Sequence, residues 1–206
     1  MLDALLAGVV AGYGIAIPVG AIAVLIVDTG MRCGFRCAAF AGAGAATADL
    51  LYASVAVIGG AAVASALVGV QTPVRLASAA VLVLMAAAGL RKAGRPGPGV
   101  SGDEIVVDRA ELARTYAKFV GLTVVNPLTV VYFTVLVIGM GVADSFSAAA
   151  GAVFVAGAFA ASLSWQVLLA GVGASARRRL PARFRVGASV FGNLIVLGLA
   201  AAILLR

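Results

Sequence analysis

Histidine is absent from this chain of 206 residues, which removes His-based catalytic triads and His-ligated metal centres. Charge is scarce as well. Asp, Glu, Lys and Arg make up 11% of the residues, where a soluble domain carries roughly 25%. No nucleotide-binding glycine loop occurs, which disfavours direct pumping by ATP. Only two cysteines are present, Cys33 and Cys37, in a short basic loop. If that loop faces the cytoplasm the pair is expected to stay reduced, and a CxxxC redox function lacks a third thiol to relay electrons. A positive leader is missing too: the chain opens Met1-Leu2-Asp3, so its first apolar segment reads as a retained helix rather than a cleaved signal.

What is abundant is apolar. Hydrophobic residues make up 63% of the chain and the mean hydropathy is +1.14, more than a folded chain can hide from water, so its solvent is expected to be lipid. Apolar runs cover residues 2–27, 38–70, 74–90, 119–142, 146–175 and 186–205. Each is long enough to cross about 30 Å of hydrocarbon as a helix. The expected fold is therefore an all-α integral membrane protein of six transmembrane helices. Small residues recur at spacings that let helix backbones approach closely, as in Gly8-xxx-Gly12 and Gly157-xxx-Ala161.

The net charge of +7 reads as topology signals beside anionic lipid, not as a nucleic-acid surface. Thirteen of the fifteen basic residues fall in the first, third and fifth loops, leaving only Arg75 and Arg206 on the other side. The positive-inside rule then makes the odd-numbered loops cytoplasmic and sends both termini outward, in a cell inner membrane. Residues 91–117 form the one real break in hydrophobicity. The stretch opens with a Gly- and Pro-rich turn and continues with Asp103, Glu104, Asp108 and Glu111, which suit a short amphipathic helix. It reads as a cytoplasmic connector between a first unit, 1–90, and a second, 118–206.

Those two units repeat one plan. A shift of 109 positions places Gly12, Pro18 and Gly30 on Gly121, Pro127 and Gly139. A shift of 113 places Gly44, Asp49 and Tyr52 on Gly157, Ser162 and Trp165, and one of 110 places Arg75 on Arg185. Each unit has three spans, an odd number, so the copies enter the membrane in opposite directions. Such inverted three-helix repeats build a binding site at the midplane between them.

Polar groups at membrane depth mark that site. Pro18 and Pro127 each remove a backbone hydrogen bond within a span, so both helices are expected to break there, with Gly12 and Gly121 as accompanying hinge positions. Asp49 lies near the middle of the second span, where a carboxylate is costly and burial penalises its charged form. It is the first candidate to carry a proton, bind a substrate amino group, or do both in turn. Asn126 offers a donor and an acceptor beside Pro127. Tyr52, Trp165, Ser162 and Thr47 are expected to line the same path, with Gln166 and Asn193 as weaker candidates. Asp28 falls at a helix end where water is available and needs no special role.

The stretch from Ile17-Pro18-Val19-Gly20, the Gly-rich run from Gly42 through Asp49 to Tyr52, and Asn126-Pro127 resemble the LysE/RhtB family of amino-acid exporters. The likeness extends over the whole chain. Two positions depart from the family pattern: Ala21 stands where a second proline is common, and Leu128 where a lysine is common. The resemblance implies export of small amino acids or their derivatives, driven by protons, with no cofactor and no enzymatic step. A homodimer is plausible, because six helices are few to enclose a path. The alternatives are a metal-cation exporter, which would need a cluster of ligands at membrane depth, and a thiol oxidoreductase acting through Cys33 and Cys37.

Overall fold

A computed structural model of the chain describes residues 1–17, 20–69, 76, 79–80, 83–84, 86–91, 108–126, 129, 147–179 and 181–205. Helices dominate them: α1 (Leu2–Ala16), α2 (Ala21–Cys33), α3 (Phe35–Gly69), α4 (Arg109–Val124), α5 (Ala148–Arg179) and α6 (Ala182–Leu205). No strand occurs among the described residues. Among the described residues two helices are long and apolar enough to cross a membrane on their own, Phe35–Gly59 within α3 and Ala148–Arg179. At 1.5 Å per residue the first of these is about 37 Å long. A third span results if α1 and α2 count as one helix bent by 75°. Apolar side chains cover the outside, among them Val10, Phe191 and Ile58, the last 86% exposed, as befits a surface solvated by lipid.

These helices are not the six expected spans one for one. The first apolar run is split, with α1 ending at Ala16 and α2 starting at Ala21. Pro18 lies between them, outside the described residues. The helix thus breaks four residues beyond Gly12, which sits inside α1. The third run is described only in part, at residues 86–91 among others, and most of the fourth lies outside the described residues. Helix α4 begins in the expected connector and passes from Ala117 into Lys118 without interruption. Its heptad-spaced Leu112 and Phe119 are both buried, so one face carries the helix across the rise in hydropathy.

Gly34 separates α2 from α3. Its φ of +92° is strained for any residue with a side chain, and a Cβ there would stand 3.2 Å from Arg177 Nη1. The turn brings the Cα atoms of Cys33 and Cys37 within 5.8 Å, and the two sulfurs are joined in a disulfide. Free thiols are expected where this loop faces a reducing compartment, and the pair lies at a separation that a disulfide bridges.

Glycine sets how the helices pack. Gly8 and Gly12 of α1 press on the backbone of Phe154 and Ala158 in α5. A Cβ on Gly157 would stand 2.8 Å from the Leu5 carbonyl, and one on Gly30 would stand 2.9 Å from Gly173 Cα. The contacts of α1 advance along α5 in step with the sequence, Gly8 on Phe154 and Gly12 on Ala158, so α1 and α5 run parallel. Gly42 packs on Gln166 and Gly151 on Val57, a reversed order that makes α3 and α5 antiparallel. Gly44 meets Tyr116 and Val120 of α4, and Tyr52 meets Val124, so α3 and α4 are parallel. Two large apolar clusters result, beside a small one of Cys37 and Leu112. One gathers Ile26, Ala41, Phe119, Ala170 and Val196; the other gathers Ala4, Ala11, Ala53, Phe154 and Ala158. Positions 46–52 of α3 and 159–169 of α5 lie between them.

Candidate functional site

The polar level between the two clusters centres on Asp49. Its position is fourteen residues into α3, and Ser162 is equally far into α5. The Ser162 hydroxyl donates to Asp49 Oδ2 at 2.6 Å, and both residues are buried, at 0% and 5% exposure. Polar atoms so deep cannot turn to water, so each needs a partner within the protein. The two residues that the sequence repeat equates are thus the two that meet.

Neighbouring candidates surround this bond. The Tyr52 hydroxyl donates to the Val124 carbonyl at 2.6 Å. Val124 is the last residue of α4, where carbonyls lose their helical partners, so Tyr52 satisfies the end of a helix that stops inside an apolar run. Thr47 donates to the Ala43 carbonyl and accepts from the Tyr116 hydroxyl, each at 2.9 Å. Asn126 follows directly on this helix end, its backbone N–H donating to the Thr123 carbonyl at 3.2 Å. Pro127, its neighbour, lies outside the described residues. Gly121 lies within α4, and a Cβ on it would meet nothing within 4 Å.

Several groups at this level are buried and unpaired. Trp165 Nε1, Gln166 Oε1 and Thr123 Oγ1 have no hydrogen-bond partner among the described residues. Trp165 and Gln166 lie within one turn of Ser162, and Thr123 lies beside the helix end that Tyr52 satisfies. Buried polar atoms without partners are rare and call for an explanation; together these provide a donor, an acceptor and a hydroxyl that is both.

Sequence reasoning missed Tyr116 and Thr123, both polar positions in α4. Thr123 was visible within the Gly121-Leu-Thr-Val-Val-Asn-Pro motif, but nothing in the sequence marks its hydroxyl as unpaired. Tyr13, next to Gly12, pairs with Ser164 at 2.9 Å on the outer part of α1 and α5. A second polar group was also missed. Asp28, read as a water-facing residue, is buried, and Arg32 Nε donates to its Oδ2 at 2.8 Å. Helix α6, distant in sequence, packs on α2, which proximity to a helix end does not reveal. Asn193, also on α6, is 1% exposed and donates to the Ser189 carbonyl at 2.8 Å.

Long apolar helices held backbone to backbone, with a polar level between two apolar clusters, mark a multi-pass membrane protein. The family model described as LysE type translocator matches residues 14–206. The chain belongs to this family, whose members export amino acids or related compounds across membranes. No curated protein and no solved structure matches it.

Proposed function

We propose that the chain is a secondary transporter exporting small amino acids or their derivatives from the cytoplasm, with Asp49 carrying the coupling proton. The observation that carries this reading is the buried Asp49–Ser162 bond, which joins α3 and α5 amid unpaired polar atoms. An amino acid brings both donors and acceptors, which is the complement of Trp165 Nε1, Gln166 Oε1 and the Thr123 hydroxyl. Asp49, Asn126, Tyr52, Trp165, Ser162 and Thr47 are proposed to form one solute and proton site.

The architecture proposed is two inverted repeats, 1–90 and 118–206, joined by the connector 91–117. Helix directions support it. Since α1 is parallel to α5, α5 antiparallel to α3, and α3 parallel to α4, the leading helices α1 and α4 point opposite ways. The close approaches support it too: Gly157 meets the Leu5 carbonyl and Val9 nitrogen, as Gly44 meets the Tyr116 carbonyl and Val120 nitrogen. In such a design the two units rock about a fixed site. Asp49 protonated from outside favours one orientation, and proton release inside favours the other. Moving one charge through 100 mV is worth about 2.3 kcal/mol, a bias of roughly 50-fold.

The basic end, with Arg177, Arg178 and Arg179 in the last turn of α5, is proposed to face the cytoplasm, and both termini the outside of the inner membrane. Two copies are proposed to form the working unit. Efflux from loaded proteoliposomes, screened across amino acids with and without a proton gradient, tests the assignment. The wild-type chain is expected to export at least one amino acid faster with the gradient, and Asp49→Asn to insert normally but lose that acceleration. Undiminished coupled export by Asp49→Asn would remove the carboxyl from the mechanism.

A further inference from the structure

Asp28 and Arg32 take no part in the Asp49 level, yet Arg32 joins three partners in three separate stretches of the chain. Arg32 Nε binds Asp28 Oδ2, and Nη2 donates both to the Gly89 carbonyl at 3.0 Å and to the Ser189 hydroxyl at 2.5 Å. One guanidinium thereby ties α2, the helical residues 86–91 and α6 together. Asn193 completes the group, its amide set against Gly89. The cluster lies on the basic side of Asp49. Gly173, which packs on Val27 and Gly30, is eleven residues along α5 from Ser162, about 16 Å at helical rise.

We propose that this cluster is the gate closing the solute path at the basic end, with α2 as the moving part and Arg32 as its latch. This inference rests on the export reading given above. Three features argue for it. Helix α2 is short and interrupted at both ends, by the 75° bend from α1 and by the Gly34 turn into α3, so it can pivot without unwinding a longer helix. Its closest approach to α5 is backbone on backbone, through Gly30 and Gly173, and the apolar cluster beside it, with Ile26 near Ala170, is greasy and without polar ties. The latch also binds neutral, exchangeable partners, a carbonyl and a hydroxyl, and not a second carboxylate.

The closed arrangement is incompletely satisfied. Among the described residues Asp28 Oδ1 and Asn193 Oδ1 are buried without partners. Water admitted on opening would hydrate both oxygens, offsetting part of the loss of the Arg32 contacts, so the two states stay close enough in free energy to interconvert. A purely structural ion pair has no need of such unpaired neighbours.

Locking and loosening the latch test the gate. A Cβ on Gly192 would stand 2.9 Å from Val24 Cγ1, so Val24→Cys with Gly192→Cys, in a Cys33→Ser/Cys37→Ser background, places two thiols across α2 and α6. Oxidation is expected to cut export in proteoliposomes by about tenfold or more, with recovery on reduction, since a closed gate blocks each turnover. Ser189→Ala and Arg32→Lys loosen the latch without emptying the interior, and are expected to raise gradient-independent solute leak by roughly three- to tenfold while lowering the melting temperature by only about a few degrees. Equal export by the oxidised and reduced pair, or wild-type leak in both loosened variants, would overturn the gate while leaving the transport reading intact. A wild-type chain that moves no amino acid would instead overturn the transport reading, and the gate with it.

Discussion

Removing the Ser162 hydroxyl measures the state of Asp49 directly. The bond is short, 2.6 Å, and enclosed on both sides, so Ser162→Ala takes away one donor and leaves the rest of the level in place. Its energy depends on what it is donated to. Hydrogen bonds to a charged group contribute about 1.5–3 kcal/mol, whereas neutral side-chain pairs in membrane proteins average about 0.6 kcal/mol and reach about 1.7. A double-mutant cycle of Ser162→Ala and Asp49→Asn isolates this coupling, provided neither variant makes a new contact. The assay is thermal or detergent unfolding of purified protein across pH. Where Asp49 is ionised the coupling is expected in the upper range; where it has taken up a proton, near 0.6 kcal/mol. A proton carrier must visit both states, so the coupling is expected to fall as the solution is acidified. A coupling that is zero throughout would refute the contact, and one that is large and constant with pH would refute proton exchange at Asp49.

Other outcomes follow from the same geometry. Gly157→Leu and Gly12→Leu force apart backbones already in contact and are expected to destabilise the protein by about 1–3 kcal/mol in thermal melts, while Gly14→Ala, with nothing within 4 Å of its Cβ, is tolerated. Tyr52→Phe strips the α4 end of its partner. It is expected to cost about 1–3 kcal/mol and to slow export, whereas wild-type values in both measurements would show that water serves the Val124 carbonyl equally well. Trp165→Phe keeps an aromatic ring and deletes an N–H that has no partner among the described residues, so melting is expected to change little and the KM for solute to rise; an unaltered KM would detach Trp165 from the site. The Cys33–Cys37 disulfide bears on orientation, since a reducing compartment opposes it. In the proposed topology, thiol trapping in intact cells is expected to find both cysteines reduced, and Cys33→Ser/Cys37→Ser to export normally. A disulfide surviving in trapped cells would place the basic end outside.

Much of the packing could be read before any coordinates. Gly8-xxx-Gly12 and Gly157-xxx-Ala161 were visible as close-approach surfaces, and the structure sets them against each other. The shift that equated Asp49 with Ser162 singled out a pair that proves to be bonded. Other features were hidden for definite reasons. Hydropathy placed a boundary at Lys118, but α4 runs through it because helical hydrogen bonds follow the backbone and ignore the polarity of side chains. The same measure saw one run over residues 2–27, in which the separation of α1 from α2 leaves no trace beyond Pro18 and Gly20. Asp28 looked wet because it lies near the end of a helix, and only the cover from α6 makes it dry.

The opening sequence therefore determined the solvent, the helical class and which surfaces are smooth enough to touch, because these depend on composition and on spacing within about a turn. The tertiary structure alone decided which polar atoms meet and which stay unpaired. Helices in lipid are stiff rods whose relative rotation is set by contacts between residues more than a hundred positions apart. A small turn of α5 would separate Ser162 from Asp49 while every local pattern in the sequence stayed the same.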